Sequence, residues 1–252
     1  MKRYWQVSLL NLLSLVLALS LAACAGALRW DPLTYTVEEG DTLYSIAFRH
    51  GLDYRALAEW NGIGSNYLIY PGDELVLSRP PAGVSPEQVA EVREQSADRE
   101  AGRSSASSGD ARASGRSRGQ GSGTQSMPPR GDIDWQWPLE GEVLNQFGEG
   151  SMARGIQIAA EEGSDVHAAA SGRVVYTGSG LIGYGKLIII KHDDVYLSAY
   201  GHNQDILVEE GDDVDVGERI GRVGLGRGNR SMLHFEIRAE GQAVDPMRHL
   251  SD

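Results

Sequence analysis

The hydrophobic residues of this 252-residue chain follow three different patterns along the sequence. An almost continuous apolar run occupies positions 7–23. Between positions 34 and 79, alternating segments flank two stretches whose apolar residues recur at helical spacing. From position 131 to 252, strand-like runs are separated by turns that contain Gly and Asp. The pattern predicts a mainly β C-terminal domain, a small α+β domain before it, and an N-terminal segment of a different kind.

The N-terminal segment has the features of a secretory signal. Lys2 and Arg3 precede the apolar run, which is shorter than the roughly 20 residues of a transmembrane helix. The run ends in Leu21-Ala22-Ala23-Cys24, which resembles the lipobox of bacterial lipoproteins, and Cys24 is the only cysteine of the chain. The resemblance implies a signal peptide at residues 1–23 and a mature chain that begins with an acylated cysteine.

The residue after the cysteine bears on which membrane holds the anchor. In lipoproteins of enteric-type bacteria, Asp at this position signals retention at the inner membrane, so Ala25 indicates the periplasmic face of the outer membrane. Several acyl chains anchor a protein stably, at roughly 0.8 kcal/mol per buried CH2 group. The alternatives are an uncleaved anchor helix and an ordinary signal with an incidental cysteine.

Residues 34–79 are predicted to fold as strand, helix, helix and strand. The alternating segments at either end indicate the two strands. The first helix is predicted to start at Asp41 and Thr42 and to stop at Gly51, and the second to start near Asp53 and to stop at Asn61-Gly62. The apolar residues assigned to packing are Leu43, Ile46, Leu57, Leu75 and Leu77.

Several short motifs of this unit match a known family: Tyr35-Thr36-Val37, Gly40-Asp41-Thr42-Leu43, Ile46-Ala47, Trp60-Asn61 and Tyr70-Pro71-Gly72-Asp73-Glu74-Leu75. With them the unit resembles the LysM domain, which binds glycans that contain N-acetylglucosamine, chiefly peptidoglycan in bacteria. The resemblance implies peptidoglycan binding. The implied glycan contacts are Gly40, Asp41, Thr42, Ile63 and Asn66. His50 is interpreted as an exposed residue at a helix end.

Gly, Ser, Arg and Ala dominate the stretch between the two predicted domains, residues 80–130. It contains six acidic and seven basic residues, and too few apolar ones to form a core. A flexible coil of about 50 residues spans roughly 40 Å root-mean-square. We therefore expect a disordered linker that leaves the two folded domains separable. The alternative is that its arginines bind glycan or acidic lipid.

The C-terminal region, residues 131–252, contains five strand-like runs, at 172–178, 186–191, 195–200, 218–223 and 233–238. Its motifs include Trp137-Pro138, Gly155-Ile156, Gly183-Tyr184-Gly185, Tyr200-Gly201-His202 and Leu233-His234-Phe235-Glu236-Ile237-Arg238. In these residues it resembles the LytM-type (lysostaphin-like) zinc endopeptidases, which cut peptidoglycan cross-bridges. The resemblance implies the mainly β fold of that family.

The zinc site of that family is incomplete in this sequence. Active members bind the metal through His-x-x-x-Asp and through the second His of His-x-His. The resemblance places Ala153 and Gln157 at the first two ligand positions and Met232 at the first His of the last motif. His234 matches the third ligand, and His202 matches a catalytic His. Because a catalytic zinc needs about three protein ligands, we expect no metal, no other cofactor and no hydrolysis.

The remaining residues are still expected to line the former substrate groove. Alternation places the even-numbered residues from Met232 to Arg238 on one sheet face. The two histidines are then either relics in a buried hydrogen-bonded pair or parts of a groove kept for gripping a protein. Nearby arginines, in an acidic domain, suit a partner with carboxylates, or else they solvate Gly-rich loops. The residues assigned to partner contacts are Arg154, His202, Arg227, Arg230 and His234.

Charge and cysteine content exclude several kinds of function. The formal net charge is -12, and residues 131–252 contain 21 acidic but only 10 basic residues. This balance argues against nucleic-acid binding, because phosphate contacts need clustered Lys and Arg. A single cysteine excludes both a disulfide framework and a Cys-rich zinc module.

The order of the segments is itself informative. A lipidation signal, a LysM domain, a long linker and a LytM-type domain without its ligands together resemble the NlpD-like lipoproteins of Gram-negative bacteria. That resemblance implies an activator of a periplasmic N-acetylmuramoyl-L-alanine amidase in septal wall splitting and daughter-cell separation, with no hydrolysis by this chain. The alternatives are an active zinc endopeptidase that cuts peptidoglycan cross-links, and a passive lipid-to-wall tether.

Overall fold

The structure is a computed structural model that describes residues 33–81, 133–150 and 153–250. The predicted signal peptide, Cys24 and nearly all of the predicted linker lie outside these ranges. Among the described residues, no helix has both the length and the apolar character needed to cross a membrane.

The N-terminal domain is a two-stranded antiparallel sheet with two helices between its strands. Its elements are β1 (Thr34–Thr36), α1 (Leu43–His50), α2 (Tyr54–Trp60) and β2 (Glu74–Val76). Tyr35 of β1 lies opposite Leu75 of β2. This order confirms the α+β arrangement that the sequence predicts.

Local hydrogen bonds start and stop the helices of this domain. Thr42 and Ser45 form a capping box, in which each backbone N–H donates to the other residue's hydroxyl oxygen at 3.0 Å. Gly51 ends α1 in the left-handed conformation, with φ at +67°. Asp53 caps α2 by accepting from two backbone N–H groups of its first turn. The core includes the residues assigned to packing: Leu43, Ile46, Leu57, Leu75 and Leu77.

In the described part of the C-terminal domain, ten strands form one antiparallel sheet. They are β3 (Val143–Asn145), β4 (Ile156–Ala159), β5 (Asp165–His167), β6 (Gly172–Gly178), β7 (Lys186–Lys191), β8 (Tyr196–Ile206), β9 (Asp213–Val214), β10 (Arg219–Val223), β11 (Met232–Ala239) and β12 (Gln242–Val244). The order across the sheet is β3-β4-β11-β8-β7-β6-β9; β10 pairs with β5 and β8, and β12 pairs with β11. All five predicted runs are strands.

Strand β11 is buried on both faces of the sheet, from Met232 to Arg238. Its odd-numbered residues belong to the main hydrophobic core. Its even-numbered residues lie on the opposite face, as the alternation predicts, and there Glu236 is hydrogen-bonded to both His234 and Arg238. A second apolar cluster forms next to them: Phe48, Tyr176, Leu181, Tyr184, Leu187, Ile189, Leu197 and Ala199.

The two domains are in contact through the C-terminal end of α1. Phe48 is buried in the second cluster of the C-terminal domain and lies outside the core of its own domain. Arg238 Nη1 donates to the backbone oxygen of Phe48 at 2.7 Å, and Gln242 Nε2 donates to that of Gly51 at 2.7 Å. The structure therefore differs from the expectation of separable domains. The reason is a second apolar face of α1, formed by Tyr44 and Phe48 at i,i+4 spacing.

A set of hydrogen bonds holds His192 in the interior of the C-terminal domain. Its Nδ1 is 2.9 Å from the backbone oxygen of Ser171, and its Nε2 is 2.7 Å from Ser198 Oγ. The Ser198 hydroxyl also lies 2.9 Å from the hydroxyl of Tyr200. Because a carbonyl only accepts, Nδ1 is the protonated nitrogen and Nε2 accepts from Ser198 in the neutral ring. Burial lowers the pKa of His192 to about 4.

Stability is expected to fall in mild acid because of His192. The imidazole of the unfolded chain has a pKa of 6.5, so the unfolded chain takes up this proton below pH 6.5 while the folded chain resists it down to about pH 4. The contribution of His192 to the free energy of unfolding is fully present above pH 6.5. It declines as the pH falls toward 4, at about 1.4 kcal/mol per pH unit.

Denaturant unfolding of the wild type and of His192→Gln, followed by Trp fluorescence at several pH values, measures this contribution. The difference in unfolding free energy between the two proteins should shrink as the pH falls from 6.5 to 4. A difference that stays constant over this range contradicts the buried neutral imidazole.

Candidate functional site

The predicted ligand positions lie where β4, β11 and β8 adjoin. Gln157 of β4 is the direct cross-strand partner of His234 on β11. On its other side, His234 pairs with the β8 residue that precedes His202. Met232 lies two residues before His234 on the same face, and Ala153 lies in the turn that leads to β4. We call this face, with the even-numbered residues of β11, the site face.

Two loops fix His202 in an uncommon backbone conformation. Its φ is +64°, in the left-handed region that few non-glycine residues adopt. Its N–H donates to the backbone oxygen of Tyr184 at 2.7 Å, and its own backbone oxygen accepts from Gly224 at 2.8 Å. The His202 ring is 6.2 Å from the His234 ring, centroid to centroid. The two loops therefore hold the two histidines beside each other.

The loop after β10 closes over Met232 and His202. A Cβ atom at Gly226 would lie 3.1 Å from the His202 ring and 3.1 Å from the Met232 side chain, so a larger residue there would have to displace them. Met232 itself is buried. A neutral thioether therefore fills the interior of the site next to the histidines, and a thioether is a poor ligand for zinc.

A buried carboxylate, that of Glu236, organises the middle of the site face. Its Oε1 accepts from His234 Nε2 at 2.9 Å and from the Tyr184 hydroxyl at 2.8 Å. Its Oε2 accepts from Arg238 Nε at 2.9 Å and Nη2 at 2.8 Å. Burial on its own raises the pKa of Glu236, but the His234 bond and the Arg238 charge outweigh it and hold the pKa below its ordinary value. The carboxylate is therefore ionised and fully partnered.

The bond to Glu236 also sets the tautomer of His234. A carboxylate that is ionised can only accept, so Nε2 carries the hydrogen of this bond. Nδ1 is buried and has no hydrogen-bond partner among the described residues. In a neutral ring, Nδ1 is therefore the nitrogen that keeps a lone pair.

The residues around that nitrogen do not fit a catalytic zinc ion. Such an ion takes about three protein ligands, drawn from imidazole, carboxylate and thiolate groups. Ala153, Gln157 and Met232 provide none of these groups. Within the described ranges, no three His, Cys, Asp or Glu side chains are grouped so that they could hold a metal ion.

The predicted partner contacts divide into a rim and a floor. Arg154 and Arg230 are exposed, and Arg227 begins a short 3-10 turn in the loop that closes over the site. His202 and His234 are 6% and 0% exposed. Arg154 and Arg230 are open to a partner, whereas the two histidines are covered in this arrangement. The assignment of all five residues to a partner stays a prediction.

The predicted glycan contacts lie before α1 and in the loop after α2. Gly40 is exposed, with φ at +84°. Asp41 and Thr42 are engaged within the domain, the first in an ion pair and the second as the helix cap. Ile63 packs partly against the domain core, and Asn66 is exposed. Gly40 and Asn66 are thus the most accessible of the five, and glycan binding through this set stays a prediction.

Sequence reasoning did not single out the partners of Glu236. Alternation places Arg238 on the same face as Glu236, and this is the signal from which their ion pair follows. Tyr184 is visible in the sequence only as the middle of a Gly-Tyr-Gly motif. No local pattern links position 184 to position 236, because the two are joined only by the fold.

Two segments of the chain match known protein families. Residues 35–78 match the LysM domain, and residues 151–246 match Peptidase family M23. The first range coincides with the strand-helix-helix-strand unit, and the second contains the site face. Both matches confirm the fold that the sequence motifs indicate.

Similarity to individual proteins extends over most of the chain. A lipoprotein NlpD/LppB homologue of Pseudomonas aeruginosa is 38% identical over 244 residues, which cover 89% of this chain and 80% of that protein. The uncharacterized lipoprotein YgeR of Escherichia coli K12 is 34% identical over 250 residues, which cover 94% and 90%. The murein hydrolase activator NlpD of Escherichia coli K12 is 36% identical over 256 residues, which cover 86% and 67%.

Removing one partner of the buried ion pair is expected to destabilise the C-terminal domain strongly. Glu236→Leu leaves Arg238 as a buried charge without its carboxylate, which costs roughly 3–5 kcal/mol of unfolding free energy. The double variant Glu236→Leu/Arg238→Met removes both charges. It is expected to be more stable than Glu236→Leu, although it carries one substitution more.

Denaturant unfolding of the wild type, the two single variants and the double variant measures the coupling between the two residues. Glu162→Gln serves as the control, because this carboxylate is exposed. A double variant that is as unstable as the sum of the two single variants argues against a coupled pair.

Proposed function

The chain belongs to the NlpD/LppB family of lipoproteins, and we propose that it is a non-catalytic activator of a periplasmic N-acetylmuramoyl-L-alanine amidase. The name of the Escherichia coli relative, murein hydrolase activator, supports this class of function. The LysM match supports peptidoglycan as a binding partner. The proposed place of action is the septal wall, where splitting separates the daughter cells.

The composition of the site face carries this proposal. Zinc peptidases create their nucleophile by lowering the pKa of bound water from about 15.7 to about 7, which requires a firmly held ion. Here Gln157 faces His234 across the strands, and Met232 fills the interior. The imidazoles of His234 and His202, with Ala153, Gln157 and Met232 at the other motif positions, do not make up the three ligands that such an ion needs. The domain keeps the shape of a peptidase and lacks the donors for its chemistry.

The arginine rim supports recognition of a partner by charge. The region from 131 to 252 has 21 acidic and 10 basic residues, so cations grouped beside the site are a local exception. Arg154 and Arg230 are exposed, and Arg227 lies in the same loop as Arg230. A cationic rim attracts a partner segment that bears carboxylates and fixes its orientation.

Lipidation and wall binding position this surface in the envelope. We propose that acyl chains on Cys24 hold the chain at the periplasmic face of the outer membrane, and that the LysM domain binds peptidoglycan. The C-terminal domain then acts next to the wall that the amidase cuts. In this scheme the chain supplies location and contact, and the amidase supplies the hydrolysis.

The activator role predicts a two-component result in a dye-release assay on labelled peptidoglycan. The purified chain alone should release no dye, and the chain added to its amidase should raise release several-fold above the amidase alone. Arg227→Glu/Arg230→Glu should weaken this stimulation while leaving the fold intact, because it reverses the charge of the rim. Arg222→Glu/Arg248→Glu is the matched control, because its side chains are 44% and 84% exposed outside the rim.

The other outcomes of this assay identify the competing functions. Chelator-sensitive release by the chain alone would falsify the activator proposal and support a zinc endopeptidase. Wall binding without any effect on the amidase would support a passive tether. Unchanged stimulation by the Arg227/Arg230 reversal would move the contact to another part of the domain.

Lipid anchoring has its own test at Cys24. Cys24→Ser removes the only thiol that can be acylated, so the variant should be an unprocessed or soluble form. Membrane fractionation and mass spectrometry of the purified chain measure this, with wild type as reference. A variant that fractionates with the outer membrane and has the mass of the acylated chain shows that the anchor lies elsewhere.

A further inference from the structure

Phe48 brings the LysM domain into the apolar cluster of the C-terminal domain. Its ring packs against that of Tyr184 with centroids 5.4 Å apart, and its centroid lies 3.4 Å from the guanidinium carbon of Arg238. Arg238 also donates to the Phe48 backbone oxygen at 2.7 Å. Phe48 is 1% exposed and lies outside the core of its own domain. Its burial is therefore a property of the interface between the domains.

The hairpin between β11 and β12 makes a second contact. Its tip, Gly241, is buried so closely that a Cβ atom there would lie 2.2 Å from the backbone oxygen of Leu52. The next residue, Gln242, donates to the backbone oxygen of Gly51 at 2.7 Å. Two backbone oxygens at the end of α1, those of Phe48 and Gly51, thus find donors in the other domain. Helix ends leave such oxygens in need of partners.

A third contact joins Lys191, at the end of β7, to Tyr54 of the LysM domain. The ammonium of Lys191 is 5.5 Å from the centroid of the Tyr54 ring, within the range of a cation–π interaction. Lys191 is also paired with Asp194 at 3.3 Å. The LysM domain is therefore held at three points, from the end of β7 to the hairpin.

The docked domain shares its supporting residues with the candidate site. The Tyr184 ring contacts the Phe48 ring and also lies beside the ring of His234, with the Tyr184 and His234 centroids 5.6 Å apart. Arg238, which holds Phe48, shares the carboxylate of Glu236 with His234. Two paths therefore connect Phe48 with His234: one passes through Tyr184 alone, and the other passes through Arg238 and then Glu236.

We propose that the LysM domain is an intramolecular cover of the site face, and that the chain stimulates its hydrolase only after this domain has undocked. The inference rests on the proposed function. In the docked arrangement Arg238 is 1% exposed, with the Phe48 ring over its guanidinium and the Phe48 backbone oxygen accepting from it, so a protein partner does not reach this end of the site face. Undocking withdraws Phe48 from Tyr184 and Arg238 and uncovers the apolar surface beside the site.

The size of the contact suits a reversible cover. Its central element is one aromatic side chain with two hydrogen bonds to backbone oxygens, far less than the core that each domain has for itself. Contacts between domains of one chain commonly resemble transient protein interfaces. Because both domains belong to one chain, docking is intramolecular and needs little intrinsic affinity.

Phe48→Ala in the full mature chain tests the cover from the LysM side. Because Phe48 is not part of the LysM core, the domain should stay folded and continue to sediment with purified peptidoglycan. The radius of gyration from small-angle X-ray scattering should increase. Stimulation of the amidase in the dye-release assay should rise at least about threefold, as an inactive closed population is converted to the open one. Tyr70→Ala is the matched control, because it truncates an aromatic residue that is 60% exposed.

Gly241→Asn tests the cover from the C-terminal domain and leaves the LysM domain unaltered. Asn is among the residues that tolerate the left-handed conformation, which Gly241 adopts with φ at +78°. Its Cβ atom has no room beneath Leu52, so the contact should open as it does in Phe48→Ala. The two variants together separate undocking from any effect on the LysM fold.

Scattering and amidase stimulation together decide whether the cover exists. Expansion with increased stimulation in both variants supports the cover, and expansion with unchanged or reduced stimulation overturns it. Unchanged scattering in both variants overturns it as well, since the contact then does not hold the domains together. A third outcome is that the variants expand but neither they nor the wild type stimulate the amidase. This result contradicts the proposed function and therefore the proposed role of the cover. It still shows that the two domains are docked in the wild type.

Discussion

The hydrogen-bonded carboxylate of Glu236 is the interaction on which the C-terminal domain and its contact with the LysM domain both depend. A buried charge is strongly unfavourable unless it is paired and hydrogen-bonded. Glu236 meets this condition with bonds from His234, Tyr184 and Arg238. Its ionised state in turn fixes the tautomer of His234 and the direction of Arg238. Nε and Nη2 of Arg238 bond to Glu236, and the third nitrogen of its guanidinium, Nη1, donates to the backbone oxygen of Phe48.

Contacts within the fold hold the site histidines in place. His202 sits in a left-handed conformation between two loops, and a larger residue at Gly226 would have to displace the side chains of His202 and Met232. Metalloproteins commonly orient a ligating histidine through a carboxylate that bonds its other nitrogen. Glu236 makes such a bond to His234. The structure thus contains the orienting carboxylate of such an arrangement, while Ala153, Gln157 and Met232 stand at the predicted positions of the metal motif.

Sequence periodicity predicts the elements that have a strong local signal. The alternation on β11 correctly places Glu236 and Arg238 on one face, and the capping residue Thr42 marks the start of α1. The short strands β3, β5 and β9 have two or three residues each, too few for alternation to register. The second apolar face of α1 is visible as an i,i+4 pair, Tyr44 and Phe48. The residue that this face contacts cannot be identified from the sequence, because Arg238 is separated from Phe48 by 190 positions.

The proposed non-catalytic role and the docking of the LysM domain fit together physically. A hydrolytic site must admit both water and substrate, so a domain packed beside it on the same sheet face would obstruct its reaction. A face that binds a protein does not need to admit water or substrate while no partner is bound. It benefits from being covered, because apolar surface beside the site, including Tyr184 and Leu181, would otherwise invite non-specific association. The contact of Phe48 with Arg238 is thus compatible with the proposed protein-binding role and would hinder a hydrolytic one.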